Sequence, residues 1–71
     1  MEKITIHTEY IKLNAFLKLA DIISNGSDIK VMLEEERIKV NGVIAFERGK
    51  KLRNGDIVTI DDNESYEVVE E

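Results

Sequence analysis

Ile38–Ile60 reads IKVNGVIAFERGKKLRNGDIVTI. Ile38-Lys39-Val40 alternates apolar with polar and predicts a short strand. Asn41-Gly42 is a two-residue hairpin turn, because both residue types tolerate positive φ, and Val43 to Phe46 returns from it. Glu47 to Arg53 is a basic connection with a flexible point at Gly49, and Asn54-Gly55-Asp56 turns the chain into Ile57-Val58-Thr59-Ile60. The same stretch holds an unusual charge. From Arg37 to Arg53 six cations (Arg37, Lys39, Arg48, Lys50, Lys51, Arg53) stand against one acid, Glu47, a local +5 in a chain whose net charge is −5. Residues 1–36 carry −3 and residues 54–71 carry −7. Because fields act within a Debye length of roughly 8–10 Å, the distribution of charge matters more than its sum. An acidic protein that gathers its positive charge into one hairpin and loop calls for an anionic partner.

Working outward, Ile4-Thr5-Ile6 reads as a first strand and Tyr66-Glu67-Val68-Val69 as a last one, after a polar turn over Asp61–Ser65. Leu13, Phe16, Leu17, Ala20 and Ile23 recur at helical spacing and share one face. Asn25-Gly26 is expected to end that helix, since Gly takes the left-handed conformation wanted just past a C-cap. Ser27 or Asp28 is expected to cap a second helix, with Ile29, Met32 and Leu33 on its apolar face. That helix runs out in Glu34-Glu35-Glu36, three acids poorly placed at the negative end of a helix dipole. The order β-α-α-β-β-β-β is an α+β pattern, in one domain over residues 1–71.

Seventy-one residues bury only about 60% of the unfolded surface. With no cysteine to staple it, the fold rests on aliphatic packing. A structural zinc site needs about four N/S donors and His7 stands alone, so no metal or cofactor is expected. Asp56, Asp61, Asp62 and Glu64 do not follow the calcium-loop spacing, and no phosphate-loop or dinucleotide fingerprint is present. No run approaches the ~20 apolar residues that span a bilayer, and the N-terminus lacks the pattern of a signal peptide. The expectation is a soluble, cytoplasmic protein without catalytic activity or membrane partner.

At Lys12-Leu13 with Phe16-Leu17, at Ser27 with Lys30, at Ile38-Lys39-Val40-Asn41-Gly42 and at Gly55-Asp56 before a β-branched strand, the chain resembles the S4-like RNA-binding domain. Its length is similar to that of the small stand-alone bacterial members of the YaaA/YbcJ type. The resemblance implies the S4-like (alpha-L) fold, two N-terminal helices packed on a small antiparallel twisted sheet. It also implies binding of structured RNA, ribosomal RNA foremost. The chain departs from the common pattern at Ile29, where the family often has Ala, and at Glu35 and Glu36, where a basic residue and Gly are common.

On that reading Arg48, Lys50, Lys51 and Arg53 contact phosphate, Arg as a planar fork and Lys as a mobile point charge. Lys12, Lys18 and Lys30 bring charge from the helices, and Ser27 stands at a helix start whose N–H groups suit a phosphate. Lys39 points to the opposite sheet face from Ile38 and Val40. Asn41 acts by shaping its loop. Among the aromatics Tyr10, Phe16, Phe46 and Tyr66, Phe16 lies on the core face, so base stacking has less support than recognition through phosphates and shape. The alternative is a protein–protein adaptor that meets a basic partner through its acidic C-terminal block and Glu34–Glu36. A ubiquitin-like sulfur carrier is disfavoured, because the sequence closes on Glu70-Glu71 in place of Gly-Gly.

Overall fold

The Asn41-Gly42 turn has the left-handed backbone its residues suit: φ is 51° at Asn41 and 83° at Gly42, as a two-residue hairpin requires. A computed structural model describes all 71 residues. Its elements are β1 (Glu2–Ile6), β2 (Ile11–Lys12), α1 (Leu13–Leu19), α2 (Ser27–Glu34), β3 (Ile38–Val40), β4 (Val43–Ile44), β5 (Lys51–Leu52), β6 (Ile57–Ile60) and β7 (Glu64–Glu70). Five strands form one sheet in the order β1-β7-β6-β3-β4, and β2 pairs with β5 in a small second ladder.

The α+β arrangement of two helices and a sheet is borne out, with one difference. β3, β4, β6 and β7 are antiparallel neighbours, but β1 lies parallel to β7, Ile4 opposite Val68. Short turns force β3–β4 and β6–β7 to be antiparallel, whereas β3 and β6 are joined through the longer segment that holds β4 and β5. No turn joins β1 to β7, so nothing local sets their sense. The basic connection also contains β5, whose Leu52 is fully buried opposite Ile11.

Sixteen buried residues make one core, and all of them are apolar or aromatic. Leu13, Phe16 and Leu17 enter it from α1, Ile29 and Met32 from α2. Alternate residues of the strands meet them: Ile4 and Ile6, Ile38 and Val40, Val58 and Ile60, Tyr66 and Val68. This is the period-2 pattern of a sheet with one face buried.

Both helix ends differ from the sequence expectation. α1 stops at Leu19, well before Asn25-Gly26. Asp21 takes the left-handed conformation (φ 61°), the Asp21 N–H donates to Lys18 O and the Ile22 N–H to Leu17 O. That is a Schellman closure, and Asp is among the non-glycine residues that visit this region. Gly26, at φ −70°, instead precedes α2. Ser27 is the first helical residue and caps nothing. The Asn25 side chain accepts its N–H at 3.0 Å and also its hydroxyl. α2 ends as α1 does, with Glu36 left-handed (φ 56°), Glu36 N–H donating to Leu33 O and Arg37 N–H to Met32 O. The acidic end of this helix is therefore closed by backbone hydrogen bonds rather than frayed.

The two motif halves at Asn41-Gly42 and Gly55-Asp56 are physically joined. Asn41 Oδ1 accepts the Ile57 N–H at 2.9 Å, and its Nδ2 donates to Asp56 Oδ1 at 3.1 Å. The other Asp56 oxygen accepts the Arg53 N–H at 2.8 Å.

Candidate nucleic-acid interface

The loop over residues 47–53 is fixed from below by α1. The first turn of a helix has N–H groups without intrahelical partners, and Lys12, the residue before α1, offers no side-chain cap. The loop backbone fills that role: the Leu13 N–H donates to Lys50 O at 2.8 Å and the Asn14 N–H to Arg48 O at 2.9 Å. Because their carbonyls are held, the Arg48 and Lys50 side chains project from an anchored backbone.

The β2–β5 ladder sets a second part of the surface. Lys12 lies directly opposite Lys51, and by strand alternation Tyr10 and Arg53 share their face while Leu52 turns inward. Lys51 Nζ sits 4.8 Å and Arg53 Cζ 5.7 Å from the centre of the Tyr10 ring, both within cation–π range. Arg53 also reaches Glu9 at 3.4 Å, an exposed pair of small value. Like charges directly opposed across two strands destabilise the pairing, and Lys12 and Lys51 have no carboxylate partner in this structure.

A third part lies where α2 begins. A Cβ built on Gly26 would stand 3.1 Å from Arg48 Nη2 and 3.8 Å from Lys18 Nζ. A guanidinium and an ammonium thus converge on the N-terminus of α2, the positive end of its dipole. Asp28 in the first turn faces Ser24, whose hydroxyl donates to it at 3.4 Å. Lys30 is exposed on the same helix and forms no ion pair.

The remaining cations of the +5 block go elsewhere. Arg37 donates from Nε to Asp61 Oδ1 at 2.7 Å and from Nη2 to Asp61 Oδ2 at 3.1 Å, and it touches Glu35 at 3.4 Å. The hydrogen bond from Arg37 holds the Asp61 carboxyl below its ordinary range, and Asp61 raises Arg37 in turn. Lys39 bonds Asp62 at 2.6 Å. Arg37 and Lys39 therefore clamp the β6–β7 turn, where Asp61 and Asp62 are both left-handed (φ 55° and 54°). On β7, which follows that turn, the Tyr66 hydroxyl donates to Glu64 at 2.7 Å. That bond, with burial and nearby acids, pushes its pKa up to about 12.

Of the residues singled out from sequence, Lys12, Arg48, Lys50, Lys51 and Arg53 gather around one loop, and Lys18 joins Arg48 at Ser27's end of α2. Lys39 stands apart in its ion pair. The amide of Asn41 is used inside the fold. Sequence reasoning missed Tyr10, although its alternation with Lys12 across from Lys51 and Arg53 was available once β2–β5 was known. Phe46 counts among the aromatics in the sequence but has no place in the expected site; it is 69% exposed beside the basic loop. No group of His, Cys, Asp and Glu is arranged to hold a metal, and no helix is long and apolar enough to cross a membrane.

The family model described as S4 domain matches residues 4–69. Over 66 residues the chain is 46% identical to the "Probable ribosome maturation protein RlbA" of Bacillus subtilis (strain 168), covering 93% of each chain.

Proposed function

The chain belongs to the S4 domain family, and from that premise we propose that it is a non-catalytic, cytoplasmic RNA-binding module with a ribosome-related role. It grips a folded RNA, ribosomal RNA first, by its phosphates. One observation carries this reading. Lys12, Lys18, Arg48, Lys50 and Lys51 lie around the 47–53 loop and the start of α2, and none of them forms an ion pair with a carboxylate. Mutual repulsion makes such a group costly until an anion enters, and a phosphate ester supplies that anion. The ribosome maturation name of the Bacillus subtilis relative supports the choice of RNA.

The adaptor reading has less support. Asp56, Asp61, Asp62 and Glu64 spend carboxylate oxygens on partners within the chain, which leaves less acidic surface for a basic protein than composition suggests.

The test is a salt titration of binding to ribosomal RNA. With about four phosphates engaged, log K should fall linearly with log salt at a slope of roughly −3. Absence of binding at low salt, with capture of a basic protein by the same preparation, would replace this reading with the adaptor.

A further inference from the structure

Phe46 and Val43 are 69% and 70% exposed, an unusual placement for two large apolar side chains four positions from a lysine. They line a hollow of about 430 Å³ together with Ile44, Ala45, Glu47 and Lys50. Ala45 is buried and anchors the floor, its N–H donating to Ile38 O at 2.9 Å. Lys50 belongs to this hollow and to the phosphate-facing loop at once. The apolar surface is therefore continuous with the charged one.

We propose that Phe46 is a stacking platform for one unpaired nucleobase of the RNA that the basic loop holds, an inference that rests on the RNA reading above. Every base has a π-face, and bases splayed out of loops and bulges stack on exposed aromatic rings. A base laid on Phe46 puts its own phosphate within the sphere of Lys50. Glu47, on the rim, offers only acceptors: it repels a phosphate there and suits a base edge that bears an amino group. The occupant is thus oriented, with its backbone toward Lys50 and its edge toward Glu47. The site adds to phosphate and shape recognition a point that distinguishes an unpaired nucleotide from continuous duplex.

The probes are two RNA hairpins with the same stem, one fully paired and one carrying a single bulged adenosine. Phe46→Ala should weaken binding of the bulged hairpin by roughly 5- to 150-fold, the value of one stacked base, and leave the paired hairpin and the salt slope unchanged. Phe46→Tyr should retain wild-type affinity. Because the chain has no tryptophan, Phe46→Trp introduces a single reporter, whose emission should be quenched by the bulged hairpin and not by the paired one. Circular dichroism melting checks that each variant is folded. Equal binding of the bulged hairpin by Phe46→Ala and wild type, with loss of both hairpins in Lys50→Glu/Lys51→Glu, would overturn the stacking site and leave RNA binding in place. Failure of the wild type to bind either hairpin or ribosomal RNA at low salt would overturn both. Undiminished RNA binding by Phe46→Ala together with loss of a protein partner would make the hollow a protein-docking surface and overturn the proposal.

Discussion

Arg37, just before β3, and Lys39 on it, and Arg48, Lys50 and Lys51 in the loop beyond, come from one basic block, yet they have opposite fates. The first pair is neutralised by Asp61 and Asp62 at 2.7 and 2.6 Å. The loop trio has no carboxylate partner, and Lys12 and Lys18 add to its charge. A cation count along the chain thus mixes two groups: charge that closes a turn and charge without an ion-pair partner. Which is which depends on where the sheet places the acids of the β6–β7 turn, some twenty residues away.

The contrast depends on α1, because its first N–H groups hold the loop carbonyls. Leu17→Ala removes a fully buried side chain from that helix and should cost about 2–5 kcal/mol, read by urea or thermal unfolding. RNA affinity should fall with it as the loop loses its anchor. A variant melting within a degree or two of wild type would show that α1 is not what fixes the loop.

Two matched charge reversals separate the halves directly. Lys50→Glu/Lys51→Glu and Arg37→Glu/Lys39→Glu each move the net charge from −5 to −9. Loss of the two proposed phosphate contacts, replaced by repulsion, should lower RNA affinity in the first by on the order of 100-fold at low salt with melting unchanged. The second should bind nearly as wild type but melt earlier, since its new acids face Asp61 and Asp62. Equal losses of affinity in the two variants would mean that net charge, not the unpaired cluster, drives binding.

A smaller effect is expected where the acidic helix end meets Arg37. Glu36 holds φ 56°, a conformation that Gly adopts without steric penalty. Glu36→Gly should therefore stabilise by about 0.5–1 kcal/mol, raising the melting temperature by a few degrees without weakening RNA binding. A lower melting temperature would assign Glu36 a contact role beyond its backbone.

The least change is expected from titration. Arg37 depresses the Asp61 pKa in the folded state, so this ion pair stabilises above the ordinary aspartate range, roughly pH 4, and is lost as pH falls below it. In Arg37→Met the Asp61 carboxyl should return to its ordinary range in a carbon-detected NMR titration. Tyr66 has the opposite sign. Its raised pKa contributes fully below about pH 10, and the contribution disappears as pH climbs to about 12, which absorbance of the tyrosinate can follow.

The strand and turn skeleton is legible in the sequence because its determinants are local: alternation at Ile38–Val40, the φ-tolerant pair at Asn41-Gly42, and the helical spacing of Leu13, Phe16 and Leu17. The helix caps are not, since Ser24, Asn25, Ser27 and Asp28 stand close together around the start of α2 and each is a residue type suited to capping. Asp21 and Glu36 close the helices by backbone bonds that leave no side-chain signature. The parallel sense of β1 has no local determinant at all. For the interface, residue types and loop position are legible. The division between paired and unpaired cations is tertiary, as are the meeting of Lys18 with Arg48 over Gly26 and the exposure of Phe46. Asn41 shows a middle case: its motif is visible in sequence, but its bond to Asp56 explains why the two halves occur together.

The parallel pairing of β1 with β7 also bears on how the chain reaches this fold. Ile4 meets Val68 and Ile6 meets Glu70, so the earliest strand has no edge to join until the latest one is in place. Closing so long a loop carries a conformational cost that local contacts do not repay in advance. During synthesis the hairpins of β3, β4 and β6 can assemble as they emerge, while residues 2–6 wait. Sheet completion is thus expected as a late event of folding, set by the arrival of β7.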